Sequence, residues 1–397
     1  LLPLQKLNND VKLLVFKSMD TAFQKSIEAN GIEIIDLHCK NFRSPFIVKK
    51  LLPYMKQCDI VHVHLFPTLY WVAMAASYYK RSKLVYTEHS THNRRRDKVW
   101  FEPIEYYIYG KYDRLISISQ QTQDNLMEWL KAKKDDKRFV VIENGVNLSV
   151  FSSVIPITNK RKQIIMVSRF ASMKDQETVI QAMVDVNEDA ELILVGDGSE
   201  RRHCEEVARK LGLTDRVRFL GARSDIPKLV SQSYIGVQSS IWEGFGLTAV
   251  ELMAAHKPVV ATNVNGLKQV VEGAGCLFEV GDSRTLAFHI NKLLKDESLY
   301  TTLADRCYER AKQYDIKNIV FSPGGRHLPL IHSIEQDDYF NTFRVIDERS
   351  AGFYALGMIQ KTGKPVAICC TSGTACINLA SAVCEAFYQH LPLLVIS

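Results

Sequence analysis

The sequence predicts an α/β protein of two parallel-sheet domains followed by a shorter α/β extension. Three observations lead there. Short apolar runs alternate with helical patterns almost throughout, the signature of parallel strands joined by crossover helices. A polar stretch at 152–162, with one Pro and no clear periodicity, splits the alternation into two series and reads as a linker. A length of 397 residues also exceeds what one ordinary core organises.

The first series of strands is expected at 11–16, 33–36, 59–64, 83–87, 114–117 and 138–141. The second is expected at 163–168, 191–195, 217–220, 235–238, 258–261 and 275–278. From about Lys317 the character changes, with new turn signals at Ser322-Pro323-Gly324-Gly325 and a bare apolar run at 391–397. The expected division is therefore 1–151, 152–316 and 317–397. Residues 1–9 read as the tail of a helix feeding the first strand. Both ends read as truncations.

Composition narrows the class. Hydrophobic residues make up 46% and charged residues 24%, the balance of a globular chain. The longest apolar stretch, 65–79, falls short of the roughly 20 residues that span a bilayer, and no secretion signal opens the sequence. Nine scattered cysteines without a C-x-x-C pair suit reduced thiols in a cytoplasm rather than disulfides or a metal site. Charge is uneven: Lys and Arg against Asp and Glu give 23 − 16 = +7 for residues 1–155, 21 − 22 = −1 for 156–316, and 6 − 6 = 0 beyond. The basic first domain favours a phosphate-bearing substrate or an anionic membrane surface at the inner face, with simple solubility charge the open alternative. No stacking motif accompanies the charge, so nucleic acid is not expected.

The chemistry concentrates between residues 160 and 260. Trp242-Glu243-Gly244-Phe245-Gly246-Leu247 runs from a strand into a helix whose second turn carries Glu251. The first amides of such a helix lack intrahelical partners and suit an anion, and glycines let a phosphate approach the backbone. Carboxylates such as Glu243 and Glu251 accept sugar hydroxyls. Upstream, Arg169 and Lys174 follow the first strand of the second series, where cations would face a diphosphate at the strands' carboxyl ends.

Arg169, Lys174, Gly196-Asp197-Gly198, Phe219-Leu220-Gly221 and Glu243-x7-Glu251, with the Gly145-Val146-Asn147 turn before the linker, carry a resemblance. The set is similar to the donor half of family 4 retaining glycosyltransferases of the GT-B fold, two Rossmann-like domains facing a cleft. The resemblance implies a nucleotide-sugar donor and a glycan or lipid-linked acceptor. It places Arg169 and Lys174 on the diphosphate and Glu251 on the ribose. Glu243 falls on the transferred sugar, and the amides of Phe245, Gly246 and Leu247 lie near the phosphates, with Gly221 near the base. It also implies same-face attack, with the leaving phosphate helping to take the acceptor proton. No cofactor is expected for the transfer, and no Asp-x-Asp element sits in a plausible donor loop.

In the first domain, Val61-His62-Val63-His64 and Tyr86-Thr87-Glu88-His89-Ser90 end strands and resemble the loops lining the family's cleft. His89 matches the histidine that contacts the donor sugar. His64 reads equally as a structural histidine or an acceptor contact. The Arg94-Arg95-Arg96 run is either a solvated loop or, through Arg95, a grip on an acceptor phosphate or lipid surface. The family's opening strand with its Gly-Gly loop is not found here, and its closing helix is expected to be replaced after Ile316, so a chain without turnover is the alternative.

Residues 317–397 resemble a second family. Ser322-Pro323-Gly324, Asp347-Glu348-Arg349-Ser350-Ala351, Thr371-Ser372-Gly373-Thr374-Ala375 and Glu385-Ala386-Phe387-Tyr388-Gln389 are similar to the start of the pyrimidine-binding domain of thiamine-diphosphate enzymes. The likeness is to the menaquinone-pathway synthase that condenses isochorismate with a 2-oxoglutarate-derived unit. Gly325-Arg326-His327 departs from its usual Ser-Arg-Asn. Glu348 would face the aminopyrimidine ring. The diphosphate- and magnesium-binding half is not recognisable, because the chain's Gly-Asp-Gly at 196–198 has no Asn at the required distance. Thiamine diphosphate and magnesium are therefore not expected to bind, and the join reads as chimeric; a synthase fragment is the remaining alternative.

Overall fold

The computed structural model describes residues 10–18, 22–29, 31–79, 81–93, 95–146, 148–152, 162–187, 189–324, 328–335, 339–371 and 374–396. The helix tail expected at 1–9, most of the 152–162 linker, Arg94, Asn147, Gly325-Arg326-His327 and Ser372-Gly373 lie outside them.

Each of the twelve expected strands is present, shifted by no more than one residue at either end. They are β1 (Lys12–Val15), β2 (Glu33–Asp36), β3 (Ile60–His64), β4 (Lys83–Glu88), β5 (Arg114–Ser117), β6 (Phe139–Val141), β7 (Lys162–Val167), β8 (Ala190–Val195), β9 (Val217–Gly221), β10 (Ile235–Gln238), β11 (Val259–Thr262) and β12 (Cys276–Phe278). The extension adds β13 (Asn318–Phe321), β14 (Asn341–Arg344), β15 (Val366–Cys369) and β16 (Leu393–Ile396). The chain divides into two compact units, Asn41–Ala311 and Leu1–Lys40 with Lys312–Ser397. This differs from a first domain of 1–151: β1 and β2 pair with each other, and β3 begins a separate sheet.

Within Asn41–Ala311, β3 to β6 form a parallel sheet in chain order. The later sheet is also parallel, in the order β12-β11-β10-β7-β8-β9. Helices cover both faces of this sheet, so its strands are apolar on both sides: Ile164, Ile165 and Met166 of β7 are all buried, as are Leu192, Ile193 and Leu194 of β8. Val179, Ile180 and Met183 from the helix after β7 pack onto one face with Leu286 and Ile290 from the helix Ser283–Lys295. Burying each such side chain contributes roughly 1.5–3 kcal/mol.

The strand order sets the site. From β7 the chain winds outward through β8 and β9, then returns to lay β10 against the other side of β7, pairing Ile235 with Ile164. Between β7 and β10 the winding reverses. Loops leaving the carboxyl ends of those two strands diverge to opposite faces and leave a crevice, the position where open α/β sheets bind ligands.

In the other unit, β13 is central to the parallel sheet β14-β13-β15-β16. Val320 faces one core with Ala351, Ala355 and Ile359, while Ile319 and Phe321 face another with Ile331 and Ile334. The helix Glu348–Thr362 is capped by Asp347, whose carboxylate accepts from Ser350 N at 2.7 Å, and closes on Gly363 at φ 66°.

Candidate functional site

The loop after β7 is held from beneath. Buried Gln176 donates to Ser168 Oγ at 3.0 Å and to the Arg169 carbonyl at 2.9 Å. Ser168 N donates to Val195 O and Phe170 N to Asp197 O, so the segment 168–170 runs against the turn after β8. A Cβ on Gly196 would lie 2.0 Å from Ser168 O, and one on Gly198 would lie 2.1 Å from Phe170 O. This close approach gives Gly196-Asp197-Gly198 a structural reason that the sequence alone does not reveal. Gly221, ending β9 at φ 71°, accepts from Gly196 N at 2.8 Å and extends the same seam.

The two loops of the crevice are tied together. Ile241 N donates to Met173 O at 2.8 Å, and Ser239 Oγ donates to Asp175 Oδ2 at 3.1 Å. Lys174, ending the short 3-10 turn Ser172–Lys174, thereby reaches Glu243, and its Nζ pairs with Oε2. Both side chains keep one-fifth of their surface exposed. Arg169 stands exposed on the same loop after β7.

Downstream, Phe245 is buried and anchors the turn. Gly246 begins the helix Leu247–Ala254 with φ 87°, where any Cβ would meet Leu267 Cδ2 at 2.7 Å. No side chain caps this start, while Ala249 N and Val250 N donate back to Gly246 O. Glu251, one turn in, is shielded enough that burial pushes its carboxyl up to about 7.

Two segments of the earlier sheet dock on the same turn. Thr91 Oγ1 donates to Glu243 O at 2.9 Å, and Ser119 Oγ donates to Gly244 O at 3.1 Å. Gly244 passes so close to the carbonyl of His89 that a Cβ would come within 2.3 Å of it. On the opposite side Gly266, at φ 89°, admits the Glu243 carbonyl where its own Cβ would sit 2.4 Å away. Thr91, Ser119, Gly244 and Gly266 thus fix the backbone of Glu243, and no spacing in the sequence marks them as a group.

His89 follows β4, and its Nε2 lies 2.9 Å from His64 Nδ1 at the end of β3. His62 stands beside His64, with ring centroids 4.3 Å apart, and its Nε2 is 2.8 Å from Thr87 Oγ1. Desolvation first and the neighbouring imidazoles second lower all three from the usual histidine value, His62 to about 4. The array is therefore neutral near pH 7.

Arg95 and Arg96 are spent on internal carboxylates. Arg95 Nε donates to Glu105 Oε1 at 2.6 Å, and its guanidinium lies 4.3 Å from the Phe66 ring centroid. Fully buried Glu105 also accepts from Tyr70 OH and Trp129 Nε1. Arg96 Nη2 pairs at 2.9 Å with Glu88, a buried carboxyl that also accepts from Tyr109 OH. Arg95 and Arg96 thus anchor their loop to the interior, with the Arg95 side chain keeping 16% of its surface exposed.

Among the described residues no cluster of three or more His, Cys, Asp or Glu could hold a metal. In the C-terminal sheet Glu348 opens its helix and lies 3.5 Å from Asn378 Nδ2. Among the described residues no such cluster lies beside Glu348, and Gly196-Asp197-Gly198 is packed against 168–170.

Comparison with known proteins gives three family matches. Residues 4–150 match Glycosyltransferase Family 4, residues 151–314 match Glycosyl transferases group 1, and residues 301–397 match the thiamine pyrophosphate enzyme N-terminal TPP-binding domain. Among solved structures, that of Anabaena HepE in complex with UDP and glucose superposes with a TM-score of 0.69. It is 24% identical and covers 79% of this chain and 90% of that one. The N-acetyl-alpha-D-glucosaminyl L-malate synthase of Bacillus anthracis is 34% identical over 169 residues, 41% of this chain and 44% of that protein. The 2-succinyl-5-enolpyruvyl-6-hydroxy-3-cyclohexene-1-carboxylate synthase of Phocaeicola vulgatus is 48% identical over 86 residues, 22% of this chain and 15% of that protein. The chain thus spans less than half the length of either enzyme. Residues 4–314 belong to the glycosyltransferase families that these models describe, with the GT-B fold, and they are joined to a segment of the thiamine-diphosphate enzyme N-terminal family.

Proposed function

We propose that the chain is a retaining glycosyltransferase that moves a sugar from a nucleotide-sugar donor to a glycan or lipid-linked acceptor in the cytoplasm. Residues 1–151 serve the acceptor side and residues 152–316 the donor. The observation that carries this reading is the meeting of Lys174 and Glu243 at the reversal between β7 and β10. A cation, a carboxylate and an uncapped helix start converge there on one crevice.

In this reading the donor exchanges partners with the pair. Lys174 and Arg169 turn to the diphosphate, and the amides of Phe245, Gly246 and Leu247 complete its cradle. Glu243, released from Lys174, accepts hydroxyls of the transferred sugar, and Gly221 lies toward the base. As the glycosidic bond breaks, charge grows on the departing diphosphate, and these fixed donors stabilise it without reorganising. Neutral His89, steadied by His64, contacts the sugar. The acceptor hydroxyl attacks from the leaving-group face and loses its proton to the departing phosphate. HepE was solved with UDP and glucose, which supports starting with uridine nucleotides. Incubation with a panel of UDP-, GDP- and ADP-sugars, followed by mass spectrometry of released nucleoside diphosphate, tests the reading. Donor consumption by at least one is expected, and inertness toward every donor, with or without added glycans, rejects turnover.

Glu251 supplies a pH signature. Burial holds its carboxyl near 7, and ribose hydroxyls donate more strongly to the ionised form. Bound nucleotide therefore lowers its pKa and releases the proton. Affinity should rise on the order of tenfold from pH 5.5 to 7, then level off. In Glu251→Gln the profile should flatten and the nucleotide bind more weakly, as read by calorimetry at several pH values.

A further inference from the structure

A second surface, outside the crevice, carries chemistry that glycosyl transfer does not use. The short turn Val99–Phe101 leads directly into the helix Glu102–Tyr109. Ile104 and Tyr107 sit at i and i+3 of that helix and share one face, Trp100 stands in the turn leading into it, and all three are exposed, Trp100 by 61% and Tyr107 by 54%. Met74 and Tyr78 form a parallel exposed stripe on the neighbouring helix Thr68–Tyr78, with Tyr78 77% exposed. The stripes adjoin where Ser77 Oγ lies 3.3 Å from Tyr107 OH. Exposed aromatics gathered this way are costly in water and mark an interaction face.

The rim identifies what the face meets. Lys111 Nζ lies 4.4 Å from the Tyr107 ring centroid and Lys98 Nζ 5.9 Å from that of Trp100. Long cationic stems lying over amphipathic rings keep their ammonium groups at the polar edge while the rings go deeper. Trp and Tyr favour the headgroup depth of a bilayer for the same reason. Residues 1–155 carry 23 − 16 = +7, so the field around the face attracts anionic headgroups. No helix among the described residues is long and apolar enough to cross a membrane, so the contact is one of lying on the surface.

We propose that Trp100, Ile104, Tyr107, Met74 and Tyr78, rimmed by Lys98 and Lys111, form a docking face for an anionic lipid bilayer. The face is independent of the donor crevice, and its failure would leave the transfer reading intact.

Co-sedimentation of the full chain with vesicles tests it, comparing phosphatidylglycerol mixed into phosphatidylcholine with phosphatidylcholine alone. Binding is expected to the anionic vesicles only and to weaken at high ionic strength. The double variant Trp100→Ser/Tyr107→Ser should lose about tenfold or more in partitioning. Its unfolding midpoint and nucleotide affinity should stay unchanged, because both side chains are exposed. Equal partitioning of variant and wild type, equal binding to neutral vesicles, or no binding at low salt would overturn the proposal. Self-association that the double variant abolishes, without vesicle binding, would assign the face to a second copy of the chain.

Discussion

Lys174→Ala should weaken nucleoside diphosphate binding by about ten- to a hundredfold, the 1.5–3 kcal/mol carried by a charge-assisted hydrogen bond. Direct titration of the folded variant measures it. The loss should depend on the diphosphate, so the corresponding nucleoside should bind variant and wild type alike. Stability should change little, since the pair with Glu243 is partly exposed and such pairs contribute about 1 kcal/mol or less. Lys174→Arg restores charge but not geometry, because the loop delivers a single ammonium to Glu243, and recovery should be incomplete. A variant that bound the diphosphate as tightly as wild type would remove Lys174 from the site.

The larger effect on the scaffold should come from Gly266→Ala. Its Cβ would meet the Glu243 carbonyl carbon at 2.8 Å as well as the oxygen at 2.4 Å, and both belong to backbone that cannot swing away. The φ of 89° adds a conformational penalty of roughly 1–2 kcal/mol for any side chain. Overpacking adds about 1–3 kcal/mol, so a total near 3 kcal/mol is expected. The unfolding midpoint should fall by several degrees, and donor use should fall with it, because the displaced segment carries Glu243. Gly244→Ala offers a control at a backbone position outside the left-handed region, where the added Cβ clashes with His89 O instead. It should impair donor use with a smaller loss of stability. Wild-type behaviour in Gly266→Ala would mean that the loop can relax, and the fixed-backbone account of Glu243 would fail.

What the sequence made legible follows from how each feature is encoded. Strands such as β7 and β8 are buried on both faces, so their apolar runs stand out at correct lengths. The strand-to-helix turn at Gly246 is written locally, in a glycine at positive φ followed by a helical pattern. Lys174 and Glu243 lie 69 positions apart, and only the expectation that both loops share one sheet edge brought them together; their direct pairing needed coordinates. Gly196, Gly198 and Gly244 show in sequence only as glycines within motifs and Gly266 is unmarked, whereas the reason for all four is a carbonyl from a distant segment. Arg95 and Arg96 could not be placed because their partners, Glu105 and Glu88, are carboxylates buried among aromatics, with nothing in the spacing to pair them. Likewise β1 and β2 carry good strand patterns, but a pattern says nothing about which sheet a strand joins.

Calorimetric titration of the intact chain with UDP, GDP and ADP, in parallel with Lys174→Ala, tests the central claim most directly. Saturable binding of at least one diphosphate, lost or weakened at least about tenfold in the variant, is the expected result. No heat from any of the three, or binding that Lys174→Ala leaves untouched, would contradict a pyrophosphate seat at the reversal between β7 and β10.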